Sequence, residues 1–292
     1  MKLAVITTHP IQYQAPVWRA LARQPGVDLQ VIFASDFSIK GYRDSGFGTS
    51  FKWDQPLTEG YSFEVLGSGV KGGFLSLSSQ GLEPALEEFG AEAVLINGYF
   101  PKFYIDAFRI ARKLNLKVLL RAELTDRDRD RGWLAQLSKD AYARFVYHHV
   151  DRFLAIGENA RSHLRRLGIH EEKIDFAGYN VDDDLFKAQA QQYLPKRTHL
   201  RSDHKIADGD FVFLVCGKLI AKKNPLLAVE AFNRLPEKFR RRCRLIFLGE
   251  GQLRQELEAR MPADGSVTIS GFVNQGELGK YYALADAALL PS

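Results

Sequence analysis

The first 178 residues alternate between short apolar runs and longer amphipathic stretches. Apolar, often β-branched runs predict buried strands at 3–8, 27–33, 63–66, 93–96, 117–120, 152–156 and 173–177. Between them, apolar residues at helical spacing predict helices over 14–24, 80–89, 102–114, 133–149 and 158–167. The segment 36–62, rich in Gly, Ser, Asp and aromatic residues, predicts a long loop or small insertion. This alternation favours a parallel sheet covered by helices.

A polar segment at 179–209 interrupts the pattern, with three consecutive aspartates followed by a Gln-rich and basic stretch. We interpret it as a linker or crossover. The alternation then restarts, with strands at 211–216, 243–248, 267–270 and 287–290 and helices at 225–235, 252–261 and 275–284. The chain is therefore predicted to be α/β, with one Rossmann-like βαβ domain over 1–178 and a second over 210–292. Four strands and three helices are few for a doubly wound domain, so we expect the second to be incomplete.

Composition narrows the class of protein. With 46% hydrophobic and 26% charged residues, the 292-residue chain has the balance of a globular protein rather than a disordered one. Two cysteines without a CxxC motif argue against a disulfide scaffold and a cysteine-based zinc site, and favour a reducing compartment. No apolar run approaches the ~18 residues of a membrane span. The N-terminus is a poor signal peptide, so we expect a cytoplasmic protein.

The formal net charge of +5 permits anionic partners without choosing among them. The basic run 238–244 (KFRRRCR) lacks interleaved aromatic residues, so it predicts a solvated helix end more than a contact with acidic lipid or nucleic acid. We expect no nucleic-acid partner.

The strongest local motif is 217–224, Gly-Lys-Leu-Ile-Ala-Lys-Lys-Asn, between a strand and a helix. Ligands of open α/β sheets bind at the carboxyl ends of strands, and helix N-termini favour anions. Gly217 would let the backbone approach a ligand, and Lys218 and Lys223 could both meet one diphosphate. Asn224 is a candidate N-cap, with Pro225 as the first helical residue. The alternative is a solvated lysine cluster, but lysines oppose the dipole at a helix N-terminus, so a bound anion explains them better.

Two further turns follow strands of the same predicted sheet. Gly249-Glu250-Gly251 permits a tight strand-to-helix turn, and Glu250 would project at the carboxyl edge. In the second turn Gly271, followed by Phe272 and Val273, would let the backbone approach a flat ligand. Alone, Glu250 would be an ordinary turn residue and Phe272 a core residue. Three such turns on one edge indicate a binding site more strongly than any one of them.

In the first domain, His9 follows the first strand, and Arg121 and Glu123 follow the strand 117–120. Each would be an ordinary loop residue if it stood alone, but their predicted position on one sheet edge makes them site candidates.

Other motifs are weak. Gly67, Gly69 and Gly72 form a GxGxxG string, but it does not open a helix at once, and the acidic residues about twenty positions on lie inside a predicted helix. No Walker A motif occurs. His148 and His149 are adjacent at a predicted helix end and do not share a helix face, so they are a poor metal pair. We predict no metal site.

The second-half motifs resemble those of the large family of retaining glycosyltransferases usually called family four, of the GT-B fold. Gly217-Lys218-Leu219 with Lys223 is similar to its "G-R-L … K" turn, and Gly249-Glu250-Gly251 to its "G-D/E-G-P-L" turn. Residues 271–286 resemble its "G-F-V … E-L … Y … A-D" stretch, and 290–292 its "L-P-S". Asn180-Val181-Asp182 with Phe186 resembles its "N-G-V-D … F" crossover, and residues 9–16 resemble one subgroup.

The resemblance implies two Rossmann-like domains facing a cleft, and transfer of a sugar from a nucleotide-diphosphate donor to a glycan or lipid-linked acceptor with retained configuration. Lys218 and Lys223 would neutralise the departing diphosphate, so neither metal nor cofactor would be needed. The backbone of 271–273 would hold the base, and Gly217, Asn224, Gly249, Glu250 and Gly251 would complete the donor site. The first domain would supply the acceptor site and the side chains near the anomeric carbon, with His9, Arg121 and Glu123 as the catalytic candidates. Cell-surface polysaccharide synthesis and a peripheral membrane contact would be sensible, although no amphipathic anchor stands out.

Three departures from the family pattern matter. Lys218 replaces the usual arginine and loses its bidentate fork. Arg121 and Glu123 occupy the region of a usual histidine. The chain stops at Ser292, just before the family's "E-x7-E" stretch, so we expect a fragment without full activity. A non-catalytic protein that binds nucleotide sugars or glycans is therefore the main alternative. A nicotinamide-dependent oxidoreductase built on the Gly67–Gly72 loop is a further one.

Overall fold

The computed structural model describes residues 1–43, 50–51, 53–68, 74–126 and 132–292. The chain forms two compact units. The first unit comprises Met1–Lys40 and Pro56–Val181, and the second comprises Gly41–Gln55 and Asp182–Ser292. The second unit thus includes a short segment from the first third of the chain.

Strands and helices alternate along most of the chain. The strands of the described residues are β1 (Lys2–Thr7), β2 (Asp28–Phe33), β3 (Tyr42–Arg43), β4 (Ser50–Phe51), β5 (Ser62–Val65), β6 (Ala93–Ile96), β7 (Lys117–Arg121), β8 (Arg152–Ala155), β9 (Ile174–Phe176), β10 (Phe211–Cys216), β11 (Cys243–Leu248), β12 (Val267–Ile269) and β13 (Ala287–Ala288). The helices are α1 (Ala15–Ala22), α2 (Phe37–Lys40), α3 (Leu82–Phe89), α4 (Lys102–Lys113), α5 (Trp133–Tyr147), α6 (Glu158–Arg166), α7 (Asp183–Tyr193), α8 (Arg197–Asp203), α9 (Pro225–Asn233), α10 (Glu237–Arg240), α11 (Arg254–Arg260) and α12 (Gln275–Leu284).

The first unit is built on a seven-stranded parallel sheet in the order β5-β2-β1-β6-β7-β8-β9. Successive residues of β1 point to opposite faces, as the two-residue period of a strand requires. Ala4 and Ile6 pack in the core beneath α3, α4, α5 and α6, whereas Leu3 and Val5 pack on the other face with Trp18 of α1. Both faces are apolar, which explains the continuous apolar runs of the central strands.

The second unit is built on a four-stranded parallel sheet in the order β12-β11-β10-β13. Val229 and Phe232 of α9 and Leu257 of α11 pack on one face. Leu284 of α12 packs on the other face beside Ile206. All four strands point the same way, so the turns after β10, β11 and β12 lie at one edge.

The segment 179–209, interpreted from the sequence as a linker or crossover, is largely helical, because α7 and α8 occupy most of it. The side chain of Asp182 accepts a hydrogen bond from the backbone N–H of Leu185 (3.1 Å) and caps α7. Asp183 and Asp184 stand in the first turn, where carboxylates favour the helix dipole. The aspartate run is therefore a helix start, and its polar composition hid the helix that follows.

The region 36–62 was expected to be a long loop or a small insertion, and its described residues hold α2 and the antiparallel pair β3–β4. Elsewhere the predicted elements exist and differ from the observed bounds mainly by one to three residues at their ends. In the described part of the chain, no helix is both long and apolar enough to cross a membrane.

Candidate active site

Backbone hydrogen bonds join the three strand-to-helix turns of the second unit. The N–H of Gly217 donates to the carbonyl of Leu248 (2.9 Å), and the N–H of Gly249 donates to the carbonyl of Gly271 (2.7 Å). The N–H of Leu219 donates to the carbonyl of Glu250 (2.9 Å). The turns 217–224, 249–253 and 270–274 therefore form one continuous surface, which we call the second-unit rim.

Two glycines make this close approach of the turns sterically feasible. A Cβ atom added at Gly249 would lie 1.9 Å from the carbonyl oxygen of Gly217, and one at Gly251 would lie 2.4 Å from that of Leu219. No side chain fits at these distances. The G-x-G spacing of the second turn is thus a packing requirement of the rim.

The first turn presents the two predicted lysines differently. Lys218 is half-buried, whereas Lys223 is exposed at the end of a single 3-10 turn, Ala221–Lys223. Pro225 is the first residue of α9, as predicted. Asn224 occupies the N-cap position, but its backbone is left-handed (φ 47°, ψ 47°) and its side chain makes no capping hydrogen bond. Capping side chains normally belong to residues with extended backbone, so the expected cap by the Asn224 side chain is wrong.

The other two turns contribute one carboxylate and one aromatic ring. The carboxylate of Glu250 accepts a hydrogen bond from Arg254, one helical turn further on, and a Cβ at Gly271 would lie 3.0 Å from its Oε1 atom. Phe272 is half-buried, with its ring centroid 6.4 Å from that of Trp53. The side chain of Val273 is half-buried and packs against the core of the second unit.

The first unit has a separate cleft of about 410 Å³ at the carboxyl ends of β1, β6 and β7. His9, Arg121 and Glu123 all line it, together with Asn97, Tyr179 and several of their neighbours. We call it the first-unit cleft. The structure therefore brings the three predicted first-domain candidates together.

Arg121 is buried in the first-unit cleft but is not left unsatisfied. Its guanidinium donates to the carbonyls of Ala177 (3.3 Å) and Gly178 (3.1 Å) and lies 4.8 Å from the ring centroid of Tyr179. The hydroxyl of Tyr179 in turn donates to Glu123 (2.8 Å). Glu123 itself is exposed. The first-unit cleft therefore combines an exposed carboxylate, which is hydrogen-bonded to Tyr179, with the buried cation Arg121.

His9 is held as a neutral side chain. Its Nδ1 atom shares a hydrogen bond with Oγ1 of Thr8 (2.9 Å), and its ring lies 4.3 Å from that of Phe37. Burial lowers the pKa of His9 from 6.5 to about 4, because the charged form loses its hydration. At neutral pH, His9 can exchange hydrogen bonds with a ligand but supplies no fixed positive charge.

Two family models match this chain. The model described as "Glycosyl transferase 4-like domain" matches residues 10–180, and the one described as "Glycosyl transferases group 1" matches residues 196–292. The chain belongs to the family-four-type glycosyltransferases. The first of these matches covers more than half of the chain, and the two together contain nearly all the candidate site residues.

Solved structures give this glycosyltransferase the GT-B fold. A complex of Anabaena Alr3699/HepE with UDP has a TM-score of 0.68 at 14% identity, covering 100% of this chain and 74% of that one. WaaG, a glycosyltransferase involved in lipopolysaccharide biosynthesis, has a TM-score of 0.66 at 14% identity, covering 99% and 75%. UDP-GlcNAc 2-epimerase from Methanocaldococcus jannaschii has a TM-score of 0.63 at 20% identity, covering 100% and 79%. At these identities the likeness shows the fold alone. Comparison with curated proteins finds no significant match.

Sequence reasoning missed several residues of the glycosyltransferase's first-unit cleft. Tyr179 reaches it from beyond β9, and its ring meets that of Tyr13 edge-on at 5.6 Å. Gln14 is 5% exposed, and its Oε1 atom has no hydrogen-bond partner in the described structure. A signal was available for Tyr13 and Gln14, because they follow His9 by only a few residues. None was available for Tyr179, whose position depends on tertiary contact.

The weaker motifs of the glycosyltransferase lie between residues 67 and 149, and one of them falls mostly outside the described residues. Gly67 follows β5, while Gly69 and Gly72 lie outside the described residues. His148 and His149 directly follow the end of α5, as predicted. Among the residues that the structure describes, no group of three or more His, Cys, Asp or Glu side chains could hold a metal ion.

Proposed function

We propose that this glycosyltransferase moves a sugar from a nucleoside diphosphate sugar to a hydroxyl group of a glycan or lipid-linked acceptor, with retention of anomeric configuration. The bond between the anomeric carbon and the diphosphate oxygen breaks. A bond to the acceptor oxygen forms on the same face of the sugar, and the hydroxyl proton passes to the departing diphosphate. The observation that carries the proposal is the hydrogen-bonded second-unit rim, which holds Lys218 half-buried beside two tightly packed glycine turns.

Lys218 and Lys223 neutralise the diphosphate in this proposal. Negative charge grows on the diphosphate as the glycosidic bond breaks, and positive groups already in place lower the energy of that transition state. Since two lysines supply the charge, we propose a reaction that needs neither a metal ion nor an organic cofactor. Glu250 and the backbone of 271–273 hold the donor's sugar and base.

The first-unit cleft supplies the acceptor side. Glu123 carries the exposed carboxylate of that cleft, fixed by Tyr179, and is suited to hold an acceptor hydroxyl. His9, neutral at pH 7, is suited to exchange hydrogen bonds near the anomeric carbon. Arg121 positions Tyr179 through its stacking contact and the two carbonyl hydrogen bonds. We further propose a role in cell-surface polysaccharide synthesis, at the inner face of the membrane.

The test combines donor binding and turnover. A panel of nucleoside diphosphate sugars is incubated with the protein and a set of glycan and lipid-linked acceptors, with and without EDTA. Released nucleoside diphosphate and the anomeric proton of the product are followed by NMR. We expect transfer with retained configuration, undiminished by EDTA. Inverted product, or loss of transfer with the chelator, would contradict that part of the proposal.

Lysine variants test whether Lys218 takes part in sugar transfer. Lys218→Ala should lower kcat/KM by about 100-fold or more, as loss of one transition-state donor does. Lys222→Ala is the matched control, because Lys222 is an exposed lysine of the same 3-10 turn and has no assigned role. Equal turnover in Lys218→Ala and Lys222→Ala would contradict the proposal that Lys218 neutralises the departing diphosphate. Donor binding without turnover across the whole panel would favour the non-catalytic alternative, and conversion of the donor to its C2 epimer would favour an epimerase.

A further inference from the structure

Two side-chain amides line the first-unit cleft without a hydrogen-bond partner among the described residues. Asn97 directly follows β6 and is half-buried, and its amide forms no hydrogen bond with another described residue. Gln14 is almost fully buried, and its Oε1 atom is likewise unpaired in the described structure. Rotation about the last side-chain bond turns either the oxygen or the amino group of an amide toward the cleft. A bound molecule with hydroxyl groups, which both donate and accept, would therefore satisfy both amides.

Aromatic rings form much of the remaining cleft wall. The Phe and Tyr side chains that line it are Tyr13, Tyr99, Phe100, Tyr104 and Tyr179. Tyr104 is buried in the core, whereas Tyr13, Phe100 and Tyr179 keep exposed ring surface. An aromatic ring offers a flat, apolar and weakly negative face, on which the C–H groups of a sugar ring can pack. The cleft thus offers apolar surface and unpaired amides to the same ligand.

The charges of the cleft disfavour an anion. At pH 7, Arg121 and Glu123 are the charged side chains among the described residues that line it. Arg121 is 9% exposed and donates from two of its nitrogens to backbone carbonyls, whereas the Glu123 carboxylate is exposed. The accessible charge is therefore negative. A carboxylate or phosphate bound beside Glu123 would meet that charge directly.

These features together favour one chemical class of ligand. A nucleotide or a phosphorylated headgroup needs accessible cations, which the described wall of the cleft does not offer. A wholly apolar chain would leave the amides and the Glu123 carboxylate without partners, at a cost in free energy. An uncharged sugar has hydroxyl groups for the amides and the carboxylate, and a C–H face for the rings. The cleft volume of about 410 Å³ is in the usual range for a small-molecule site.

We propose that the first-unit cleft binds an uncharged sugar residue of the acceptor and discriminates against acidic sugars. Gln14 and Asn97 form hydrogen bonds with its hydroxyl groups, the exposed aromatic rings cover its C–H face, and Glu123 repels a carboxylate or phosphate on it. This inference rests on the proposed function, in which the cleft holds the acceptor. It narrows that acceptor to one that presents a neutral sugar.

Sugar binding is measured without the donor, so that the result does not depend on turnover. Methyl glycosides of glucose, galactose and mannose are compared with the corresponding uronic acids, which differ from them only at C6. Dissociation constants come from NMR titration of the full chain. We expect neutral glycosides to bind, and each acid to bind about tenfold more weakly or worse, because like charges repel at short range. Binding of none of the neutral glycosides, or equal or tighter binding of the acids, would overturn the proposal.

Glu123→Gln separates charge from hydrogen bonding. The new amide oxygen can still accept from the hydroxyl of Tyr179, while the negative charge is removed. The preference for a neutral glycoside over its acid should fall about tenfold. Glu88→Gln is the control, because Glu88 is an exposed glutamate of α3 in the same unit and does not line the cleft. An unchanged preference in Glu123→Gln would contradict the role of its charge.

The amides are tested by Asn97→Ala and Gln14→Met. Methionine keeps the length of the buried Gln14 side chain and removes its amide. Each change should weaken binding of the neutral glycoside about tenfold, since a hydrogen bond to it is lost, while circular dichroism and nucleoside diphosphate binding stay unchanged. Gln24→Met is the control, because Gln24 is an exposed glutamine just beyond α1. Equal sugar binding in Gln14→Met and Gln24→Met would refute the role of the Gln14 amide.

Failure of this inference and failure of the proposed function give different results. If the protein transfers sugar to uronic acid acceptors as readily as to neutral ones, the proposed function stands and the inference is wrong. If neutral glycosides bind in preference to their acids but no donor sugar is transferred to any acceptor, the proposed function is wrong and the preference of the cleft stands.

Discussion

At the scale of single residues, burial decides which groups of the first-unit cleft carry charge. Arg121 is as buried as a core residue, but its guanidinium donates hydrogen bonds to two carbonyls and lies over the ring of Tyr179. The pKa of His9 falls to about 4, because burial removes the hydration of its charged form. The two residues were predicted from the same sheet edge, but only one is a cation at neutral pH.

His9 should make the protein less stable in mild acid. Its pKa is about 4 in the folded state and near 6.5 when unfolded, so the unfolded chain binds the extra proton as the pH falls from 6.5 to 4. Stability from this residue is therefore present above pH 6.5 and is lost through that window, by about 2.5 kcal/mol at pH 4.5. Urea unfolding of wild type and His9→Gln between pH 7 and 4.5 should show a shallower fall in the variant.

His170→Gln is the control for this effect, because His170 is exposed and lies in the same unit. It should leave the pH dependence of unfolding unchanged. In NMR titration the His9 ring should have its midpoint near pH 4. A midpoint near 6.5 would contradict the account of His9 as a buried neutral group.

The sequence predicted the positions of His9, Arg121 and Glu123 because parallel strands end at one edge. It could not predict Tyr179, which holds Glu123 although 56 residues separate them. Nor could it predict the charge state of His9, which depends on Phe37 and the surrounding core. The order of strands and loops along the chain was thus enough to predict where these site residues lie. It was not enough to predict the charge state of His9.

At the scale of elements, the second-unit rim depends on backbone contact between neighbouring turns. The runs at 211–216 and 243–248 predicted β10 and β11 to the residue, because each consists mainly of apolar residues and is followed by a glycine. The fit of the turns that follow could be expected only in outline, since it is fixed by which carbonyl each glycine faces.

Gly249→Ala should disrupt the rim. The new Cβ would meet the carbonyl oxygen of Gly217 at 1.9 Å, so the turns must separate. We expect a loss of several kcal/mol in the free energy of unfolding, as for other backbone clashes, together with at least tenfold weaker binding of the nucleoside diphosphate. Calorimetry and urea unfolding measure both quantities.

Gly157→Ala is the control, because its backbone is extended and nothing lies within 4 Å of an added Cβ. It should change the unfolding free energy by less than about 1 kcal/mol. If Gly249→Ala were as stable as this control, the close approach of the two turns would be wrong.

Helix α7 is the element that the polar sequence concealed. Asp182→Ala should lower stability by about 1 kcal/mol, because it removes the side-chain acceptor for the Leu185 N–H. Asp184→Ala, two residues on and inside the first turn, should cost only a few tenths of a kcal/mol through the helix dipole. Equal effects in urea unfolding would show that Asp182 is not the cap.

At the scale of the whole molecule, the chain order of the two units is interrupted. Residues 41–55 belong to the second unit, although the strands before and after them belong to the first. Within the second unit, the carboxylate of Asp54 accepts a hydrogen bond from the backbone N–H of Gly276 (2.8 Å) at the start of α12. This segment therefore supplies a hydrogen-bond acceptor to the N-terminus of α12. The composition of 36–62 gives no indication of that role.

Asp54→Ala should destabilise the second unit. It removes a carboxylate from the N-terminus of α12, where hydrogen bonding and the helix dipole together contribute about 1 kcal/mol. Asp208→Ala, an exposed aspartate of the same unit, is the control and should change little. Hydrogen exchange of the α12 amides should quicken in Asp54→Ala only; unchanged exchange would contradict the contact.

The position of residues 41–55 bears on how such enzymes can be recombined. A chimaera that exchanged the chain at a single crossover near residue 181 would pair the α12 of one parent with the 41–55 segment of another. The Asp54–Gly276 hydrogen bond would then form only if the two parents carried compatible residues at these two positions. Replacing the second unit with that of another enzyme should therefore succeed only when residues 41–55 are replaced from the same parent. The second unit is encoded by two separate stretches of the gene.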